Sequence, residues 1–373
     1  MVSKPRYRAV DACRGLALVY MLFNHGFRLT VSKSAMELEP GQFDWWTWLI
    51  AKAAPSLFFL CFGFMLGVLY INPDRTLSFE RVARRLWWRC LLVFLSYKLL
   101  VVLELAALGK NVTAMKMALQ YRWLGQWVEI LNFYAIVLLL APPGLWLWRR
   151  IPWWGKALFV VSVAWLTASW QSTPWQSSIL QAILVGRQGY YVFPVLPWLL
   201  PVLLGMLLGE HYPRLARGGR LRVMLVCMGA SGILFGIFLA ITGTAMAENL
   251  KAVLFSWKHP PKLAYLAWTT SYALLYLTAF FAVLGVEREP SPRWAVLETM
   301  GRGSLLQFNL HFTILFAVVG LGLHSLQSLP AVTARWCGVA LVLTCMTIGV
   351  AWDEISQRRK ASTEASETAE ESQ

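Results

Sequence analysis

Residues 8–25 carry ionisable side chains within a segment that is otherwise apolar. Asp11 and Arg14 are three residues apart, so they share one face if the segment is helical, and His25 follows eleven residues later. Because an imidazole takes and returns a proton near neutral pH, His25 could remove a proton from a hydroxyl or an amine, or carry an acyl group itself. The alternatives are structural: an Asp–Arg pair that holds the helix start at a membrane surface, and a histidine that faces lipid headgroups.

Two carboxylates, Glu104 and Glu129, lie in other apolar segments. A charged side chain at bilayer depth is costly and is expected to face the interior of a helix bundle. Glu129 also forms a polar stripe with Gln126 and Asn132, at positions i, i+3 and i+6 of a predicted helix. Such a stripe suits a sugar hydroxyl, and it equally suits hydrogen bonds between helices.

Asn309 and His311 add polar groups to an apolar segment nearer the end of the chain. Alternate residues on a helix face different directions, so these two side chains are not expected to act together. His311 could pair with an acid or contact a substrate. It could equally be a histidine that packs between helices.

A basic cluster, FERVARRLWWR, occupies residues 79–89 and contains Arg81, Arg84, Arg85 and Arg89. Guanidinium groups stay charged and bind phosphate oxygens in pairs, and the helical spacing of this cluster would gather several of them. The cluster could therefore bind a phosphorylated ligand. It could equally anchor a helix end at anionic lipid on the cytoplasmic side of a membrane.

The composition of the chain predicts a membrane protein that holds these groups. Of its 373 residues, 58% are hydrophobic and 14% are charged, and the mean hydropathy is +0.54. The net charge of +15 lies in short segments between apolar runs, which indicates insertion into a lipid bilayer rather than nucleic-acid binding. The 20 Trp and 12 Tyr residues suit the aromatic belts of a membrane protein.

Hydropathy and loop charge together predict an all-α bundle of about ten membrane-spanning helices. The predicted spans are 9–31, 46–71, 87–108, 124–147, 153–170, 190–209, 222–243, 265–286, 304–323 and 331–352. Lys and Arg concentrate in every second connection and at both ends, so both termini are expected in the cytoplasm. The expected organisation is one membrane domain over 1–355 and a disordered cytoplasmic tail over 356–373, which lacks apolar residues to bury.

The positions of the cysteines and the absence of common short catalytic motifs limit the classes of reaction that the chain could perform. The six cysteines are scattered through apolar segments without a Cys-x-x-Cys pair, so neither a zinc site nor a disulfide framework is indicated, and no metal is expected. No phosphate-binding loop, dinucleotide-binding motif, zinc-protease motif or nucleophile elbow stands out. A nucleotide-driven pump and a soluble hydrolase are therefore disfavoured.

The first segment resembles the opening signature of the transmembrane acyltransferase superfamily. That group includes the acyltransferase-3 family and the family related to heparan-α-glucosaminide N-acetyltransferase. The signature Arg-x-x-Asp-x-x-Arg-Gly-x₅-Met-x₃-His is carried by Arg8, Asp11, Arg14, Gly15, Met21 and His25. Four later stretches, 54–67, 191–209, 259–272 and 297–312, are similar to further motifs of these families in the same order. Phe62 and Phe308 depart from the usual Ser and Tyr.

The resemblance implies an integral-membrane acyltransferase of the inner membrane. It implies an acyl-CoA donor that enters from the cytoplasm and a glycan or small-molecule acceptor, modified at a hydroxyl or an amine with a group expected to be acetyl. His25 would be the base or the acyl carrier, with Arg14 and Asp11 beside it. Arg81, Arg84 and Arg85 would bind the phosphates of CoA, and Glu129, Asn309 and His311 are the candidate acceptor-binding residues. The alternative is a secondary transporter in which Asp11, Arg14, Glu129 and His311 form a proton or substrate pathway.

Overall fold

The computed structural model is helical throughout the residues that it describes. These are residues 7–32, 49–71, 78–125, 127–173, 175, 178–187, 193–243, 257–258, 260–284, 294–321 and 329–371. They form 13 α-helices and one π-helical turn. The β-structure among them is limited to two isolated β-bridges. The predicted all-α class is confirmed.

The helices follow the apolar segments in chain order. They are α1 Arg8–Thr30, α2 Ala54–Leu66 with the π-helical turn Gly67–Ile71, α3 Phe79–Ala107, α4 Val112–Leu119, α5 Glu129–Trp148, α6 Trp153–Ser172, α7 Ser178–Leu184, α8 Val195–Arg217, α9 Arg220–Thr242, α10 Leu263–Leu284, α11 Ala295–Arg302, α12 Ser304–Gly320 and α13 Ala331–Glu371. Each of the ten predicted spans thus contains a helix among the described residues.

Seven of these helices are long and apolar enough to cross a membrane, which makes this a multi-pass membrane protein. An eighth span is formed if α11 and α12, which meet at a bend of 82°, cross as one broken helix. Of the ten predicted spans, α1 and α6 do not meet that apolar criterion, and α12 meets it only together with α11. Helix α1 carries Arg8, Asp11 and Arg14 in its first two turns, and α6 carries Lys156 and several hydroxyl and amide side chains.

The described residues divide into two compact units. The first unit comprises Met1–Ala51, Glu287–Leu315 and Leu323–Gln373, and so contains α1, α11, α13 and α12 as far as Leu315. Glycines let its helix backbones touch: a Cβ on Gly15 would overlap the carbonyl group of Leu297, and a Cβ on Gly301 would overlap that of Asp11. The Gly of the opening signature is therefore required by the approach of α11 to α1.

The second unit comprises Lys52–Val286 and Phe316–Gly322, and contains α2 to α10. In this unit α2 and α8 pack closely: a Cβ on Gly63 would overlap the carbonyl group of Val202, and one on Gly205 would overlap that of Leu60. These glycines belong to the stretches 54–67 and 191–209, which resemble family motifs. The small residues in those stretches thus serve helix packing.

Helix α13 continues to Glu371, so most of the segment 356–373 has a helical backbone, where composition predicts disorder. The segment is rich in alanine and glutamate, which are good helix formers. A segment that continues an existing helix does not have to nucleate a new one, because the preceding turns have already formed.

Candidate functional site

Two histidines that are 286 residues apart in sequence meet in the first unit. Nδ1 of His25 on α1 lies 3.2 Å from Nε2 of His311 on α12. The two rings stack, with their centroids 5.4 Å apart and their planes within 18° of each other. His311 is fully buried, at 0% exposure, whereas His25 is half-buried.

The hydrogen bonds around His311 assign the protons of the pair. Nδ1 of His311 lies 3.1 Å from the backbone carbonyl oxygen of Gln307, which can only accept, so Nδ1 must carry the hydrogen. Nε2 of a neutral His311 is then an acceptor, and Nδ1 of His25 donates to it. In this tautomer Nε2 of His25 carries the lone pair that a general base or a nucleophile needs.

Aromatic side chains surround the histidine pair. Phe312 lies against His25 with ring centroids 5.1 Å apart, and against His311 at 4.1 Å. Phe308 meets His311 edge-on at 5.2 Å. An apolar enclosure lowers the local dielectric and so strengthens the hydrogen bond between the imidazoles.

Arg14 and Asp11 lie on the same helix as His25. Nη1 of Arg14 lies 3.8 Å from a carboxylate oxygen of Asp11, as the spacing of three residues predicts, and Arg14 also donates to the hydroxyl of Ser304. Arg14 and His25 are eleven residues apart, so they share one face of α1 about 16 Å apart along its axis. Side chains of α12 thus reach α1 at two positions, with Ser304 at Arg14 and His311 at His25, and these four residues are called the seam.

Gln307 lies on the same face of α12, one turn before His311. Its side chain is 1% exposed, and neither its amide oxygen nor its amide nitrogen has a hydrogen-bond partner among the described residues. A Cβ on Gly349 of α13 would overlap this amide, so glycine is needed where Gln307 packs. Ser304 is a member of the seam that sequence reasoning did not identify, and the buried Gln307 packs against α13.

Glu129 lies in the second unit, at the start of α5. It is 1% exposed, as is Glu104 near the end of α3, and Asn132 is 0% exposed. Tyr121 donates a 2.8 Å hydrogen bond to Oδ1 of Asn132, and burial raises the pKa of Tyr121 to about 12, which keeps its hydroxyl protonated as a donor. The stripe predicted from the sequence is thus buried rather than exposed to lipid; Gln126 lies outside the described residues.

Arg81, Arg84 and Arg85 also belong to the second unit, in the first two turns of α3. All three are exposed. Arg81 and Arg84 line an open groove together with Trp87 and Trp88. Guanidinium groups beside exposed indole rings are able to bind phosphates and a planar base.

Asn309 is half-buried on α12, and its backbone carbonyl oxygen accepts a hydrogen bond from the hydroxyl of Thr313. It lies two residues before His311 and so points away from the histidine pair. Among the described residues, no group of three or more His, Cys, Asp or Glu side chains could hold a metal ion.

Residues 6–231 match the family model of the catalytic domain of heparan-alpha-glucosaminide N-acetyltransferases. The chain belongs to this family. The match covers more than half of the chain, from the start of α1 into α9, and no curated protein sequence matches the chain. The resemblance in the opening signature is thereby confirmed, and the protein is a member of a membrane acetyltransferase family.

The family match includes His25, Arg14 and Asp11 but ends before His311 and Ser304. The seam therefore combines residues inside the matched catalytic domain with residues that the match does not reach. The structure places His311 against a histidine rather than against an acid, and gives it a fixed tautomer. Of the site residues predicted from the sequence, His25 and His311 are in contact in the first unit, as are Asp11 and Arg14. Glu129 and the three arginines belong to the second unit.

Proposed function

We propose that this protein is an acetyltransferase of the inner membrane that moves an acetyl group from acetyl-CoA to a hydroxyl or an amine of a glycan or a related acceptor. The proposal rests chiefly on the His25–His311 pair, whose hydrogen bonds leave the lone pair on Nε2 of His25. The family match supports acetyl transfer as the reaction and favours it over the secondary transporter.

In the proposed reaction, Nε2 of His25 takes the proton of the acceptor hydroxyl or amine as the acceptor oxygen or nitrogen attacks the thioester carbonyl carbon. The carbon–sulfur bond breaks and CoA leaves. The imidazolium of His25 then returns the proton to the sulfur, so the products are the acetylated acceptor and free CoA thiol. His311 accepts from Nδ1 of His25 throughout, and so orients the ring and stabilises its positive charge.

Arg14 and the basic cluster are proposed to handle the donor. Arg81, Arg84 and Arg85 would bind the phosphates of CoA, because exposed guanidinium groups at helical spacing match phosphate geometry. Arg14, steadied by Asp11 and Ser304, would lie near the thioester. Both chain termini are proposed to lie in the cytoplasm, where acyl-CoA is available. Glu129 is the proposed acceptor-binding residue, and Asn309, which points away from the histidine pair, is assigned no role.

The test is acetyl transfer by purified protein in lipid nanodiscs. Acetyl-CoA and methyl α-D-glucosaminide are supplied, and free CoA thiol and acetylated sugar are measured separately. The proposal predicts equal amounts of both products, at a rate that depends on both substrates. Folded protein that neither binds acetyl-CoA nor releases thiol with any sugar or amine acceptor would refute it.

A further inference from the structure

A second buried polar cluster lies in the second unit, where the connection between α3 and α5 covers the ends of both helices. Glu104 comes from α3, and Glu129 and Asn132 come from consecutive turns of α5. All three are at most 1% exposed, and the two carboxylates interact electrostatically with each other. Apolar packing alone does not explain three strongly polar side chains at such burial.

The connecting segment fixes the orientation of Asn132. The hydroxyl of Tyr121 donates to Oδ1 of Asn132 at 2.8 Å, so the amide group must present its Nδ2 hydrogens on the other side. Tyr121 itself adopts a left-handed backbone conformation with φ of 59°. Lys98 caps Tyr121, with Nζ 3.5 Å from the ring centroid and 2.9 Å from the carbonyl oxygen of Ala118.

The oriented amide points a donor into the cluster. Nδ2 of Asn132 is fully buried and has no hydrogen-bond partner among the described residues. Glu129, which is three residues earlier in the sequence, lies on the same face of α5 as Asn132. Across from them, the backbone at Gly125 comes so close that a Cβ there would lie 3.1 Å from Oε2 of Glu104. A buried donor of this kind is costly unless a ligand or a water satisfies it.

The chemistry of the cluster selects the ligand group. Asn132 offers a donor and the carboxylates offer acceptors, so the fitting group must both accept and donate a hydrogen bond. An ammonium group only donates, and a phosphate or carboxylate only accepts. A ligand hydroxyl does both, as a water molecule does, and a series of deoxy sugars distinguishes the two.

We infer that Asn132, Glu104 and Glu129 bind a hydroxyl group of a polyhydroxylated acceptor, such as a sugar. This inference rests on the proposed function for the acceptor's role in the reaction. Glu104 and Asn132 thereby become specificity-determining residues that accompany the candidate Glu129. The loss of either side chain is expected to weaken acceptor binding without affecting the donor.

The test measures sugar binding in the absence of any CoA compound. Saturation-transfer NMR on the purified protein uses methyl α-D-glucosaminide and its 3-, 4- and 6-deoxy derivatives as probes. Asn132→Asp keeps the acceptor for Tyr121 and removes the donor, and Asn132→Leu and Glu104→Gln are the companion variants. Ser231→Ala, which removes a buried hydroxyl of the same unit that bonds the carbonyl oxygen of Ser271, is the control for folding.

We expect each Asn132 variant and Glu104→Gln to weaken sugar binding by tenfold or more, while Ser231→Ala binds as the wild type does. One deoxy sugar is expected to bind wild-type protein as weakly as the complete sugar binds Asn132→Asp, and to lose nothing further in that variant. Turnover assays should show a raised KM for the sugar and an unchanged KM for acetyl-CoA.

Three results would overturn the inference: folded Asn132 and Glu104 variants that bind every sugar as the wild type does, wild-type protein that binds none of them, or no deoxy sugar that matches the Asn132→Asp effect. Failure of the proposed function is a separate outcome. In that case sugar binding depends on Asn132 as expected, whereas acetyl-CoA neither binds nor turns over.

Discussion

Arg8 in the first turn of α1 forms a 2.9 Å ion pair with Glu298 on α11, and both side chains are more than nine-tenths buried. Nε of the same guanidinium also donates to the same carboxylate oxygen, at 3.1 Å. The pair joins residues 290 positions apart in sequence. It fixes α11, and with it the start of α12, to the helix that carries His25.

Removing one member of this pair should destabilise the first unit strongly. Arg8→Met or Glu298→Gln leaves the other partner buried without its counter-ion, which costs about 3–5 kcal/mol. The double variant Arg8→Met/Glu298→Met should be more stable than either single variant, because no unpaired charge remains. Chemical denaturation in detergent measures this, and single variants as stable as the wild type would contradict it.

A methyl group at Gly15 should separate α1 from α11. The added Cβ of Gly15→Ala would overlap the carbonyl group of Leu297, and a clash with backbone costs about 1–3 kcal/mol. Gly232→Ala is the matched control, since a Cβ there meets nothing within 4 Å and alanine favours helix. We expect a lowered midpoint of thermal unfolding for Gly15→Ala alone; equal midpoints for both variants would show that α11 can move aside.

The basic cluster should govern donor affinity. Arg81→Ala/Arg84→Ala is expected to raise the Kd for acetyl-CoA by about tenfold or more, the size of one or two charge-assisted hydrogen bonds. Arg150→Ala is the control, because Arg150 is another exposed arginine of the second unit and stacks on Trp146 instead. An equal rise of the Kd in the double variant and in Arg150→Ala would indicate a nonspecific charge effect. Isothermal calorimetry in nanodiscs distinguishes the two cases.

His311 should act through His25 rather than on the substrate. His311→Phe removes the acceptor for Nδ1 of His25 and should lower kcat by roughly 10-fold to 100-fold, with the Kd for acetyl-CoA unchanged. In a His25→Ala background the same substitution should cost nothing further. His211→Phe is the control, since His211 is exposed and likewise bonds the carbonyl oxygen four residues before it. Additive losses would show that His311 has a role of its own.

Local features of the site could be predicted from the sequence. The sequence predicts a helix over 9–31, and α1 spans Arg8–Thr30, because its apolar run and first charges mark its ends. The Asp11–Arg14 contact follows from a spacing of three residues on a helix. The common face of Glu129 and Asn132 follows from the same rule.

Long-range pairing could not be predicted. Which helix meets His25 depends on close backbone contacts such as those of Gly15 and Gly301, and a single sequence records only that small residues are present. The bend of 82° before α12 likewise has no signal in the sequence, since the apolar run from 304 onward is typical of an ordinary helix start. Because the bend cannot be predicted, the contact between Ser304 and Arg14 cannot be predicted from the sequence either.

The most direct test of the central claim is acetyl transfer by His25→Ala, with its affinity for acetyl-CoA measured on the same preparation. Loss of a general base typically lowers the rate by about 10²–10⁴-fold. We predict that His25→Ala binds acetyl-CoA with the wild-type Kd and transfers its acetyl group at least about 100-fold more slowly. A folded His25→Ala protein that acetylates the acceptor at the wild-type rate would contradict the assignment of His25 as the reactive base.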